Sequence, residues 1–175
     1  MLNQKLLLLI LCFSALPTGL HAEEWFIFTD KEDSIQFLSY GKPQKLTIDV
    51  SGGSKTIWHF GYLEDGTNGG VDATRLDKED LSQFNVVQEV QGLRAGIEQS
   101  GKTRVVKERK VTINGLLAVE FQTTVLNSKG QVWHGLIRML VVRDRIFTIY
   151  IVAPKSSRLS DKQVSTFLNS FKSVP

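Results

Sequence analysis

Cysteine is nearly absent: the 175 residues hold one, Cys12, and it falls inside an N-terminal apolar run rather than in the body of the chain. Beyond that run there is no disulfide to staple the fold and no thiolate to act as nucleophile or metal ligand. Histidine is almost as scarce, with His59 and His134 the only two after residue 22. Each directly follows a tryptophan, Trp58 and Trp133, and neighbours on a strand face opposite ways, so a buried Trp turns its His to the other side. Two ordinary strand histidines explain the pattern. A metal shared by both is the alternative, although neither element supplies a second ligand at i+2 or i+4. No GxxxxGK[ST] or GxGxxG stretch cradles a phosphate, and no Gly-x-Ser-x-Gly elbow presents a serine. Nor does any uncharged apolar run reach the roughly 20 residues that span a bilayer as a helix.

What is present begins with an address. Residues 1–22 carry Lys5 as their only charge, then an apolar run over 6–16, then a polar stretch ending at Ala22. That is the pattern of a secretory signal peptide, cleaved after Ala22, and it implies a periplasmic or secreted protein. A lipoprotein is the rival, with Cys12 as the lipidated residue, but bulky Leu11 stands where a small residue is needed. Residues 23–175 then read as one domain, since a chain of about 150 residues buries roughly 70% of its unfolded surface and can hold a core unaided.

The centre of that domain is expected at 132–152, two Val-, Ile-, Phe- and Tyr-rich runs separated by Arg143, Asp144 and Arg145, the pattern of a central hairpin. Upstream, 34–38 reads as a strand with 25–28 as its lead-in. Leu46, Ile48 and Val50 alternate as one buried strand face, and 56–63 is a further strand. Residues 64–72, rich in glycine and polar groups, read as a surface loop. Val86, Val90, Leu93 and Ile97 recur at helical spacing behind an N-cap at Asp77, with Gly92 a place where the helix bends or ends early. A charged strand over 104–113 belongs at a sheet edge, and Asn114-Gly115 predicts a type I′ turn into a strand over 117–125. A last helix, capped by Ser160, lays Val164, Phe167, Leu168 and Phe171 on the sheet. The whole is α+β: an antiparallel sheet with a long middle helix and a C-terminal helix packed on it.

Charge is divided along the chain. Residues 23–100 carry 7 Lys and Arg against 14 Asp and Glu, whereas 101–175 carry 13 against 4. The halves either neutralise one another across the fold or leave a basic face for a polyanionic partner. The basic set is Lys102, Arg104, Lys107, Arg109 and Lys110 along the edge strand with Arg143 and Arg145 at the hairpin tip, and Lys107, Arg109, Lys110, Arg143 and Arg145 stand out in it. These five are the candidate partner-binding residues, for a protein or an anionic envelope surface. Nucleic acid is disfavoured because no aromatics interleave with the charges to stack bases. No cofactor is expected. Asp65, Asn68, Asp72 and Asp77 could supply oxygens to calcium, though without the alternation of an EF-hand loop. The pairs Glu64/Asp65 and Glu79/Asp80 could do acid–base work, but solvated and capping roles explain them.

The second half is similar to a known group. The residues around Gly115 and 116–121, the strand pair over 138–145 and 146–154, and above all Phe167, Leu168, Asn169, Ser170, Phe171 and Lys172 resemble the closing part of PsbP-like domains. Trp25, with the polar turn and Phe37 after it, is similar to the way such domains begin. That group includes the extrinsic photosystem II subunit, a Ran-binding nuclear import factor and bacterial secreted domains. The resemblance implies an antiparallel sheet between helices and a non-catalytic adaptor, assembly factor or chaperone. A small-ligand or calcium-binding domain, and a hydrolase using the acidic loop, are the alternative functions.

Overall fold

The computed structural model describes residues 25–50, 53–60, 63, 65–76, 85–99 and 101–174. The strands are β1 (Trp25–Asp30), β2 (Ile35–Tyr40), β3 (Gln44–Val50), β4 (Gly53–Phe60), β5 (Asn68–Leu76), β6 (Thr103–Ile113), β7 (Leu116–Leu126), β8 (Val132–Val142), β9 (Arg145–Ala153) and β10 (Lys172–Ser173). Helix α1 (Val86–Gln99) lies between β5 and β6, and α2 (Lys162–Ser170) follows a short 3-10 turn, Ser156–Ser160.

Seven strands form one antiparallel sheet in the order β3-β4-β5-β9-β8-β7-β6. The hairpin expected at the centre is there, since β9 is the fourth strand of seven and β8 lies beside it. Its turn is only Arg143 and Asp144, with Arg143 at positive φ, and Arg145 is already the first residue of β9. Asn114 and Gly115 both have positive φ, as a type I′ turn requires. The Asn114 amide then donates to the carbonyls of Asn169 and Phe171 and ties the hairpin to the end of α2.

Cross-strand partners share a face, so the register assigns every side chain. On one face Trp58, Val71, Ile149, Arg138, Glu120 and Arg109 stand in a row across β4 to β6. Val164, Phe167, Leu168 and Phe171 of the α2 region pack on this face, together with Ile35 and Phe37 of β2. On the other face Phe121, Ile137 and Tyr150 meet Val90, Leu93 and Ile97 of α1. Val90, Leu93 and Ile97 of the stripe that the sequence spacing picks out thus face the sheet.

Several expectations need correction. Residues 25–28 are not a lead-in but most of β1, which pairs with β2 in a second, three-stranded sheet, order β1-β2-β10. Residues 68–72 are not loop but the start of β5, buried in the large sheet. Their glycines answer to sterics: a Cβ on Gly70 would lie 2.5 Å from the Trp58 carbonyl oxygen, and one on Gly69 would lie 2.6 Å from that of Tyr150. These glycines serve close strand packing rather than a turn. β3 is the other edge of the sheet, which leaves Leu46 exposed instead of in a buried face. α1 runs unbroken through Gly92, with Asn85 accepting from the amides of Val87 and Gln88. The cap proposed at Asp77 lies outside the described residues. Asp161, not Ser160, caps α2 by accepting from the Gln163 amide, while the Ser160 hydroxyl closes the 3-10 turn by donating to Ser157.

Candidate functional site

Among the described residues, two groups of ionisable side chains are built around buried carboxylates. On the α2 face, Glu120 is 3% exposed and receives Arg138 at 2.8 Å on one carboxylate oxygen and Arg109 at 2.6 Å on the other. Arg138 also donates to the Leu168 carbonyl and the Asn169 side chain, each at 2.9 Å, so the pair anchors the last turn of α2. On the α1 face, Lys55 and Asp72 lie 2.8 Å apart, both buried. Burial raises the Asp72 pKa, opposed by Lys55, and Tyr150 is raised by burial and by the Asp72 charge. The Tyr150 hydroxyl is 3.1 Å from Nδ1 of His59. Nothing in the sequence flagged Lys55 and Asp72 as partners, because the contact depends on the β4–β5 register.

Burial also depresses the His59 pKa below 6.5. As pH falls from 6.5 the unfolded chain takes up a proton there and the folded chain does not, so the stability present above 6.5 is lost toward the folded value. Asp72, with its raised pKa, titrates with the opposite sign. The carboxylates of Asp30 and Asp65 are lowered, their burial outweighed by Lys45 at Asp30 and by Thr67 and Arg158 at Asp65, and their loss comes only below 3.8. Comparing unfolding free energies of wild type and His59→Asn between pH 6.5 and 3.8 should show that the wild type loses more stability on acidification.

The metal-ligand candidates are dispersed. His59 faces α1 whereas His134, opposite Ala153, faces the α2 side of the sheet, so the two cannot share an ion. Asp65 accepts from the Thr67 amide and pairs with Arg158 at 3.0 Å, whereas Asp72 is held by Lys55. Glu64, Asp77, Glu79 and Asp80 lie outside the described residues. Asp30, Glu32 and Asp33 do bring carboxylate oxygens within 4.8 Å of one another. However, the Lys45 ammonium already sits among them, at 2.8, 3.1 and 3.3 Å.

The five basic residues singled out by sequence do not form one surface. Arg145 bends back onto the β1–β2 turn, with its guanidinium on the Asp33 carboxylate at 2.8 Å. Arg143, at the tip, is roughly 25 Å from Lys107, counting two strand spacings and seven residues of rise. Arg109 is held by Glu120. Lys107 and Lys110 remain exposed on β6, which is the sheet edge as expected, and neither has an ion-pair partner among the described residues. Arg104 joins them in the same condition. A bulge between Val105 and Lys107 pushes Val106 outward, where it is 61% exposed. Next to this edge the α2 face is exposed at Gln122, Leu126 and Val132. The acidic and basic halves do meet, at Arg145–Asp33 and Arg158–Asp65, but β6 keeps its excess.

No protein-family model and no curated protein matches the chain. Solved structures do. The chain is similar to the cyanobacterial PsbP (CyanoP) of Synechocystis, with a TM-score of 0.57 and 14% identity over 91% of this chain and 98% of that one. A Pseudomonas aeruginosa protein of unknown function aligns with a TM-score of 0.45 and 11% identity, over 81% of this chain and 90% of that one. The type VI secretion immunity protein TplEi of the same organism, solved with a peptide, gives 0.44 and 12% over 93% and 58%. The fold is PsbP-like, and no helix among the described residues is long and apolar enough to cross a membrane.

Proposed function

We propose that this chain, built on the PsbP-like fold, is a periplasmic or secreted binding or assembly module without catalysis of its own, and that β6 is its contact surface. The observation that carries this reading is the placement of charge. Arg104, Lys107 and Lys110 stand exposed without carboxylate partners among the described residues, while the potential acid–base groups Asp72, Tyr150 and Glu120 are buried in the fold. Exposed like charges that the fold does not neutralise favour an oppositely charged partner, a protein or an anionic envelope surface. Residues 1–22 supply the address for export.

The test is affinity capture of partners from envelope extract by the purified protein, beside a Lys107→Glu/Lys110→Glu variant. Arg109 must be left alone, because a glutamate there would face buried Glu120. The double reversal should leave stability within about 0.5 kcal/mol, as exposed sites do. Capture should fall sharply and should also fall as salt is raised. Equal capture by both proteins would return these lysines to a solvated edge, and a metal or small ligand co-purifying without any protein would favour the ligand-binding alternative.

A further inference from the structure

Resting on the binding role proposed above, we infer that the free edge of β6 accepts an extended acidic segment of a partner protein as an eighth strand of the sheet. β6 closes the sheet order and, among the described residues, pairs only with β7, so its second edge presents backbone donors and acceptors outside the ladder. From Lys107 to Ile113 the register against β7 is unbroken, which gives a regular template beyond the bulge. At the bulge itself the edge already takes an acidic acceptor, because the Glu98 carboxylate receives the Val105 amide at 3.1 Å.

Charge selects the occupant. Lys107 and Arg109 project to the α2 face and Lys110 to the α1 face, while the single acid of this run, Glu108, pairs with Arg94 at 3.5 Å. A strand from a second copy of β6 would set lysine against lysine and arginine, and like charges opposite one another are unfavourable. An acidic strand meets opposite charge on both faces. The same residues that guard the edge against self-association therefore recruit a partner of the other sign.

The test uses a synthetic Glu–Val peptide with a Glu-Glu-Val-Val repeat, which sets glutamates on both faces of a strand, matched to the 11 residues of β6. A Lys–Val peptide of equal length and vesicles of anionic phospholipid serve as comparators, with backbone amide NMR and hydrogen exchange on the whole protein as readout. The Glu–Val peptide should protect β6 amides between Lys107 and Ile113, with affinity that falls with salt. Lys107→Glu/Lys110→Glu should weaken it by at least about tenfold, and the Lys–Val peptide should not bind. Equal binding of both peptides, peptide binding without β6 protection, or no peptide binding would overturn strand addition. If vesicles or captured proteins still bind in a lysine-dependent way, strand addition alone fails; if those also ignore Lys107 and Lys110, the binding role of β6 fails with it.

Discussion

Phe167→Ala should destabilise the protein by about 3–5 kcal/mol, the usual cost of emptying a phenylalanine site in a packed core. The side chain is fully buried and stands edge-on to Phe60 with centroids 4.9 Å apart, and Trp25 is 6.1 Å away on another side. Trp25 belongs to the small sheet and Phe60 to the large one, so this ring joins three layers. Rigid backbone on both sides limits collapse into the cavity, which keeps the cost toward the upper part of the range. Urea unfolding should show a lower midpoint at an unchanged slope. Leu117→Ala, at an exposed position of β7, should leave the midpoint nearly where it was.

Arg138→Met should cost a similar amount for a different reason. It leaves Glu120 buried with Arg109 as its remaining partner, and breaking a buried pair from one side costs about 3–5 kcal/mol. It also removes the donors to the Leu168 carbonyl and the Asn169 side chain, so α2 should exchange its last amides faster than the rest of the core. Adding Glu120→Leu should recover much of the loss, because a matched apolar pair has no uncompensated charge. If the double variant is no more stable than Arg138→Met, the carboxylate is not the source of the cost. The cycle thus separates ion pairing from the anchoring of α2.

The sequence carried those features whose cause is local. Val164, Phe167, Leu168 and Phe171 declare one helical stripe by spacing alone, and all are buried. Asn114 and Gly115 specify their turn by the φ values they tolerate, and the apolar runs of β8 and β9 mark the middle of the sheet. The resemblance to PsbP-like domains, drawn from packing positions at the end of the chain, agrees with the fold. What local pattern could not convey was pairing. Gly69 and Gly70 read as loop because their reason, the Trp58 and Tyr150 carbonyls pressing on them, lies in the flanking strands β4 and β9. Val106 breaks the alternation on β6 because a bulge changes the parity that period-2 reading assumes. Ion pairs were the least legible. Arg145 looked free at a hairpin tip and is spoken for by Asp33, and Arg109 looked like Lys107 until Glu120 was found opposite it.

The most direct measurement is hydrogen exchange of the protein alone and with a captured partner, resolved to single strands. Contact through the basic edge predicts new protection over β6, Thr103–Ile113, with little change at the exposed edge of β1 around Ile27 and none around His59 and Tyr150. Protection appearing at β1 or beside His59, with β6 exchanging as before, would contradict it.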